Sequence, residues 1–407
     1  GLAGRGNRGE QPSGKEMSYG THKERTIRTN DFAADYPATV TDSTRRIDGH
    51  LCDALVWVGM KIWKRSLICV VLTLVAMSVS FHSTLAQTAK EPLVQTAREP
   101  QVKAAAEFLK LDASTLPIIQ KIQIGGDADW LAIGFGSVWV TVAKNNEVVR
   151  VDPARNVVQA RISVDKEPCY GIGIGGDRVW VLNCQGKTLT RINPKTNAVD
   201  LRLPVKIDDG GEGSIAVDER YVWFASNEDG HSSTLSQVEV KTGRKLKGIA
   251  VGKDTGVVKL AFGSVWAISS GEGNVYRVDP ATRKVTAMIT VAQGPRFTTD
   301  GAGSLWVLSQ SDGSVSRIDP ASNKVVAVIP VHVPGKGGEI CFGGGFIWVT
   351  MDGNPVTRID PATNKVIDQY GNYPKADGIR YGFGSVWVTD HGKGELWRID
   401  PAKMSHK

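Results

Sequence analysis

The sequence has few cysteines, few histidines and no long apolar run. Its five Cys never form a Cys-x-x-Cys pair, so nothing in their spacing supports a cysteine-bound metal. The main apolar run, Leu67 to Val79, has 13 residues, whereas a membrane-spanning helix needs about 20. Seven His in 407 residues leave few candidates for general-base chemistry.

The net charge is also small, and part of it lies in the first 86 residues. The whole sequence has 49 Lys plus Arg against 42 Asp plus Glu, a net charge of +7. Residues 1–86 hold 11 of the basic and 8 of the acidic residues, which leaves +4 for the remainder. This balance argues against a nucleic-acid-binding domain, and 11 Trp argue against a disordered protein.

Residues 60–86 have the pattern of a secretory signal peptide. Met60 is followed by three basic residues, then by the apolar run, and then by the small-residue pair Thr84 and Ala86. We therefore predict cleavage after Ala86, residues 1–59 as translated upstream sequence, and a periplasmic or secreted bacterial protein without a membrane span in the mature chain. The alternative is a cytoplasmic extension with an uncleaved anchor.

A unit of about 40 residues repeats seven times after the signal peptide. Trp recurs in blocks such as G-S-V-W-V-T, at intervals of 39 to 43 residues, and a second block of the type R-I-D-P-A-T-N-K follows about 11 residues later. Each unit has alternating apolar residues, and most units have a Pro that ends a strand; several also have an Asp-Gly turn. This pattern predicts four short strands per unit, which is one propeller blade. The repeated residues are Trp139, Trp180, Trp223, Trp266, Trp306, Trp348 and Trp387.

The two ends of the repeat region complement each other. Residues 116–125 resemble a fourth strand without its first three, and residues 395–402 resemble a third strand without its fourth. We predict that the N-terminal strand completes the last blade. The fold class is then all-β, a monomeric seven-bladed β-propeller of four-stranded antiparallel blades over residues 116–402. Residues 87–115 are predicted as a linker with a short helix at 104–112, and residues 403–407 as a tail.

The two repeated blocks resemble those of YVTN-type β-propeller proteins, which are exported bacterial proteins. Their broader group includes the streptogramin (virginiamycin B) lyases. That resemblance implies the fold, and for the lyases it implies a His base, Glu residues and Mg²⁺. The lyases' W-F-T-E block is missing, because the blades here read W-V-T, W-V-L, W-F-A and W-A-I. His391, His332 and Glu339 are therefore only weak catalytic candidates, and Mg²⁺ is expected only under the lyase alternative, with no other cofactor evident.

Features that recur in nearly every blade are predicted to be structural. The Trp residues are expected to fill the core, and a recurrent Arg two residues before the turn Asp is expected to pair with that Asp. In an exported protein, Cys169 and Cys184 are placed to form a disulfide across the first hairpin of blade 2; two free thiols are the alternative. The recurrent arginines are Arg150, Arg191, Arg277, Arg317, Arg358 and Arg398.

Function is expected where the blades differ. Lys259 and Arg380 stand seven residues before their Trp, and Glu339 stands nine before, at positions where most blades have small or apolar residues. If these positions face the central channel, they form an anion- or carboxylate-binding funnel on the face of the strand two-to-three and four-to-one loops. The alternative is a water-filled channel with a self-satisfied Glu–Arg pair.

Further candidates for ligand binding are assigned to the same face: Arg296, Asp390, His391 and Tyr170. Two functions remain open. The first is a binding or scaffold module for a small anionic ligand or a protein partner. The second is a metal-assisted lyase or hydrolase.

Overall fold

The chain forms a ring of seven β-sheets in a computed structural model that describes residues 108–207, 213–228, 230, 233–331 and 337–404. The predicted signal peptide and upstream sequence lie outside these residues. In blade order the ring is built from blade 1 (Ala128–Gly134, Ser137–Val142, Glu147–Asp152, Val157–Ser163), blade 2 (Ile172–Gly175, Arg178–Asn183, Thr188–Asn193, Ala198–Pro204) and blade 3 (Ile215–Val217, Tyr221–Ser226, Thr234–Glu239, Ile249–Ala250).

Four further blades complete the ring, and within each blade neighbouring strands are antiparallel. They are blade 4 (Thr255–Ala261, Ser264–Ser269, Asn274–Asp279, Lys284–Thr290), blade 5 (Pro295–Gly301, Ser304–Ser309, Ser314–Asp319, Lys324–Pro330), blade 6 (Ile340–Gly343, Phe346–Met351, Asn354–Asp360, Lys365–Gly371) and blade 7 (Ala376–Gly382, Ser385–Asp390, Glu395–Ile399). Among the described residues, short 3₁₀ helices lie at Ala113–Thr115, Ala143–Asn145 and Pro401–Lys403. No helix among the described residues has the length and apolar character that a bilayer crossing requires.

The N-terminal strand closes the ring, as the sequence predicts. Ile118–Gln123 pairs antiparallel with Glu395–Ile399 and so becomes the fourth strand of blade 7. The innermost strands contact one another in cyclic order, and that of blade 7 contacts that of blade 1. Closure pairs the exposed edge strands that would otherwise promote aggregation.

The prediction of a short helix at 104–112 is wrong for residues 109–112. Leu109–Asp112 is a strand that adds parallel to the outer strand of blade 6, with Leu109 opposite Asp368. The local sequence Leu-Lys-Leu-Asp alternates between half-buried and exposed side chains, which fits a strand lying on a sheet edge. Tertiary pairing therefore overrides the helix propensity of Leu and Lys.

The seven Trp residues are the core, as predicted. Each is 0% exposed, and in five blades the indole N–H donates to the backbone carbonyl five residues earlier, at 2.8–3.0 Å. In six blades the recurrent Arg lies over the Trp ring, as Arg317 does at 4.8 Å from the centroid of Trp306. In these five blades the Trp is therefore held by packing, by a hydrogen bond and by a cation–π contact.

The recurrent Arg does not form a local ion pair with its turn Asp, which corrects the sequence prediction. Arg317 reaches into the next blade, where Nη1 donates to Pro361 O and Asn364 Oδ1, both at 2.8 Å. Equivalent bonds join blades 1 and 2, 4 and 5, and 7 and 1. The turn Asp instead accepts backbone N–H groups of its own turn, as Asp279 does from Ala281 and Thr282. The Asp-Pro-x-x-Asn block is thus a clasp between blades.

Blade 6 does not form this clasp, and the sequence of its partner turn explains why. Its partner turn in blade 7 has Met404 at the position that Asn156, Asn197, Asn323 and Asn364 occupy in the turns that accept the clasp, so no amide oxygen is available there. Arg358 pairs with Asp368 on the outer strand of its own blade, at 2.5 Å and with both side chains 0% exposed. A buried pair of this kind is costly to break, because removing one partner leaves an uncompensated charge.

Cys169 and Cys184 form a disulfide with a Cα–Cα distance of 5.9 Å. They flank the first hairpin of blade 2 rather than lying within its strands, because Cys169 precedes Ile172–Gly175 and Cys184 follows Arg178–Asn183. Cys184 N also donates to Glu167 O at 2.7 Å. Closing a loop of this size stabilises a fold by about 3 kcal/mol in the chain-entropy model.

Candidate functional site

An axial cavity of ≈ 390 Å³ lies where the seven innermost strands meet. Each blade contributes residues that stand six to nine positions before its Trp, and the residue seven positions before lines the cavity in every blade. The sequence pattern therefore identified the lining correctly. These seven residues are Ala132, Gly173, Ala216, Lys259, Thr299, Cys341 and Arg380.

The cavity has one apolar wall and one polar wall. Blades 1 to 3 contribute Trp130 and a series of Ile, Val, Ala and Gly residues, with Ser214 as their one polar side chain. Blades 4 to 7 contribute four charged side chains, which form two ion pairs. A ligand with an apolar body and a charged or polar end would match both walls.

The first ion pair joins blades 6 and 7. Arg380 donates to Glu339 through both terminal nitrogens, from Nη1 to Oε2 at 2.5 Å and from Nη2 to Oε1 at 2.8 Å. Glu339 Oε2 also accepts from Ile379 N at 3.1 Å. Burial raises the pKa of Glu339, against the opposing effect of the Arg380 cation. The carboxylate side chain is 5% exposed and the Arg380 side chain 28%, so the cation is the member that faces open space.

The second ion pair joins blades 4 and 5 and includes a residue that sequence reasoning missed. Lys259 Nζ lies 2.8 Å from Asp300 Oδ1, and the two side chains are 34% and 42% exposed. Asp300 stands six residues before its Trp, a position from which the sequence analysis drew no candidate. It is the one charged residue at that position among the seven blades, and that asymmetry could have identified it.

Cys341 lies between the charged groups. Burial raises the pKa of its thiol to about 12, and the nearby Arg380, Glu339 and Lys259 all influence it electrostatically. Both cations therefore act on the same part of the cavity wall. At such a pKa the thiol is protonated and inert as a nucleophile.

The cavity is more open towards the strand one-to-two turns than towards the face that the sequence analysis favoured. Residues six positions before the Trp are half-exposed in all seven blades. At nine positions before, Trp130, Val257, Phe297 and Glu339 are at most 4% exposed. The rings of Trp130 and Phe297 lie 5.4 Å apart across the axis and narrow that end. We call the face of the strand one-to-two and three-to-four turns the turn face, and the opposite one the loop face.

Two predicted ligand-binding residues lie outside the cavity. Tyr170 is 3% exposed and packs in the core shared by blades 2 and 3, where its ring lies against Gly213. Arg296 lies beside a separate pocket of ≈ 30 Å³ with Asp254 and Ser270, between blades 4 and 5. A repeat pattern predicts which blade a residue belongs to and where it lies along its strand. It does not predict whether the side chain points to the axis of the ring or into the next blade.

Asp390 and His391 also lie apart from the cavity, in the strand two-to-three turn of blade 7. Asp390 is 1% exposed and accepts hydrogen bonds from the Tyr373 hydroxyl and from Lys393 N. Burial and the bond to Asp390 raise the pKa of Tyr373. His391 is half-buried, and its backbone N–H donates to Lys375 O at 3.0 Å. His332 lies outside the described residues.

The described residues do not provide the donor set that a lyase-type Mg²⁺ site would need. Within residues 108–207, 213–228, 230, 233–331 and 337–404, no three His, Cys, Asp or Glu side chains group in a way that could hold a metal ion. Glu339 and Asp300 are the carboxylates of the cavity, and each is engaged by a cation. We derive no step through a metal.

Comparison with known proteins shows the fold. No protein-family model and no curated protein sequence matches the chain. Among solved structures, virginiamycin B lyase from Staphylococcus aureus aligns with a TM-score of 0.59 at 16% identity, over 69% of this chain and 98% of that one. A streptogramin B lyase aligns at 0.57 and 17%, over 70% and 95% of the two chains. BamB from Moraxella catarrhalis aligns at 0.51 and 15%, over 70% and 85%.

These similarities support the propeller resemblance that the sequence indicated. At such identities they show only the shared propeller fold, on which unrelated functions occur. The function of this chain has to be argued from its own cavity.

Proposed function

We propose that this chain is an exported, monomeric binding propeller whose axial cavity holds a small carboxylate with an apolar body. The observation that supports this most strongly is the division of the cavity into an apolar wall and a wall with two half-exposed cations. Lys259 and Arg380 are the residues that contact the carboxylate, and the Ile, Val and Trp130 surface contacts the body. The export proposal follows from the signal-peptide pattern and is consistent with the disulfide.

Both cations keep donors for a ligand despite their ion pairs. Arg380 uses three of its five N–H groups in the bonds to Glu339 and to Ile379 O. Lys259 uses one of three in the contact with Asp300. The paired carboxylates therefore act as fixed supports that orient the cations, in the way that binding sites commonly orient their charged groups.

The lyase or hydrolase alternative rests on the shared fold and on residues apart from the cavity. His391 is the remaining described candidate base, and its turn lies on the loop face. A protein partner on the ring surface is the second binding alternative, since propellers commonly serve as docking platforms. The small-ligand proposal has the more specific support, because it follows from an enclosed cavity with an ordered polar wall.

Titration calorimetry with a panel of small carboxylic acids tests the proposal, with the matching neutral amides as controls. We expect the chain to bind at least one carboxylate in preference to its amide, and Arg380→Gln to weaken that binding by about 2 kcal/mol, because a charge-assisted bond is lost. Lys259→Gln should weaken it less, because Lys is a single-point donor. Arg178→Gln serves as the matched control, because Arg178 pairs with Asp200 on the outer strand of blade 2 and does not line the cavity. Equal binding of acid and amide, or full affinity in Arg380→Gln, would show that the proposal is wrong.

A further inference from the structure

Three phenylalanines stand exposed at equivalent turns of the ring. Phe135, Phe262 and Phe383 each occupy the first central position of the strand one-to-two turn in blades 1, 4 and 7, and are 38–44% exposed. Their φ angles are 50°, 51° and 53°, in the left-handed region. For a bulky residue this conformation is strained, and such strain persists where another constraint requires it.

The other blades show that the turn itself does not need an aromatic residue. The equivalent positions are Gly176 in blade 2, Ala302 in blade 5 and Gly344 in blade 6, with φ angles of 55°, 48° and 59°. Gly is the residue that this turn type favours. The three Phe residues therefore add exposed apolar surface where the backbone would be better served by Gly.

Exposed large apolar side chains are concentrated at this one face. Among the described residues the others are Ile119, Val157 and Val326, each within the first three residues of a fourth strand, next to the turn face. The strand one-to-two connection has two residues in six of the blades. Turns of equal length place the three Phe at one level around the cavity mouth.

The same face carries a basic surplus. In the segments that connect the strands, Lys and Arg outnumber Asp and Glu on the turn face, while the reverse holds on the loop face. Lys195, Lys241 and Lys284 are exposed there. Several turn aspartates accept hydrogen bonds within their own turn: the bonds of Thr282 N and Ala281 N lower the pKa of Asp279, and those of the Ser322 hydroxyl and Ala321 N lower the pKa of Asp319.

From this geometry we propose that the turn face docks on an anionic lipid bilayer, with Phe135, Phe262 and Phe383 inserted among the headgroups and the lysines above them. Apolar side chains on a basic surface are the combination by which proteins bind anionic membranes peripherally. Phe383 and Phe135 stand on the adjacent blades 7 and 1, and Phe262 stands across the ring on blade 4, beyond the turns of blades 2 and 3 on one side and of blades 5 and 6 on the other. Such a spacing fits a deformable lipid surface better than a protein partner, which would need a pocket for each ring.

Vesicle sedimentation of the full chain tests this proposal, with neutral phosphatidylcholine vesicles and with vesicles that contain phosphatidylglycerol. We expect binding only to the anionic vesicles. The triple variant Phe135→Ala, Phe262→Ala, Phe383→Ala should bind at least about tenfold more weakly, since binding scales with the apolar area that is inserted. Ala at these positions is compatible with the turn, because blade 5 has Ala302 there.

A charge comparison supplies the matched control. Lys195→Glu, Lys241→Glu, Lys284→Glu on the turn face should weaken binding by a factor of about a hundred or more, at about 1 kcal/mol for each lysine near the surface. Lys144→Glu, Lys166→Glu, Lys253→Glu on the loop face has the same net charge and should bind nearly as the unchanged chain does. Equal loss in both sets would overturn the assignment to the turn face.

Hydrogen exchange locates the contact in the unchanged full chain. Anionic vesicles should slow amide exchange in the turns at 134–137, 261–264 and 382–385, and leave the strand two-to-three turns unaffected. If all variants sediment equally and the turns are unprotected, the apolar run from Leu67 to Val79 drives binding and the proposal is wrong. If vesicles fail to bind while polyglutamate does, the face serves an acidic protein and the lipid assignment is wrong.

Discussion

Replacing Trp306 with Ala is expected to lower the free energy of unfolding by about 3–5 kcal/mol, the range for large aromatic residues in cores. The side chain is fully buried, its Nε1 donates to Gly301 O at 2.9 Å, and its ring supports the guanidinium of Arg317. The substitution therefore opens a cavity, leaves a carbonyl without its donor and loosens the clasp to blade 6.

Urea unfolding measures this loss, provided that the slope with denaturant is unchanged. Phe262→Ala is the matched control, because it also removes an aromatic ring but from an exposed turn, and it should change stability by less than about 1 kcal/mol. If Trp306→Ala and Phe262→Ala have similar stabilities, the Trp row is not the structural core.

Replacing Glu339 with Gln is expected to tighten carboxylate binding about tenfold, or about 1.4 kcal/mol. Gln keeps the shape of the side chain, and its amide oxygen can still accept from Ile379 N. The change removes a negative charge that holds Arg380 and repels a ligand anion. Arg380→Gln should have the opposite effect and weaken binding. If both variants only disturbed the packing of the cavity, both would weaken binding, so the comparison shows whether Glu339 competes with the ligand for Arg380.

The pH dependence of binding follows from the same pair. Because burial raises the pKa of Glu339, acidification protonates this carboxyl while a ligand with an ordinary pKa is still ionised. Affinity in the unchanged chain should therefore increase as the pH falls towards the raised pKa of Glu339. In Glu339→Gln this increase should be absent. Calorimetric titrations at a series of pH values measure both; an increase that persists in Glu339→Gln would contradict the assignment.

The regular spacing of the Trp blocks was sufficient to predict seven blades. Each blade has one large core residue at the same position of its sheet, so the number of Trp blocks equals the number of blades. Ring closure was also predictable, since the repeat region begins with a lone fourth strand and ends with a third. The strand at Leu109–Asp112 was not predicted, because its partner in blade 6 lies more than 250 residues away and its local sequence also suits a helix.

The directions of the side chains were the main feature of the site that could not be predicted from the sequence. The period identified the cavity-lining position in every blade. The ion pair joins Arg380, on the innermost strand of blade 7, to Glu339, which directly precedes the innermost strand of blade 6. Periodicity did not reveal that Arg317 would reach Asn364 in the next blade, that Tyr170 would pack away from the axis, or that Trp130 would narrow the expected entrance. Each depends on contacts between blades, which a single repeat does not encode.

The location of a bound carboxylate tests the central claim most directly. Crystals of the chain with the carboxylate that binds most tightly should show its oxygens in the axial cavity, about 2.7–3.0 Å from a nitrogen of Arg380, and its apolar body against the wall of blades 1 to 3. A carboxylate bound on the loop face near His391, with the cavity holding only solvent, would contradict the account.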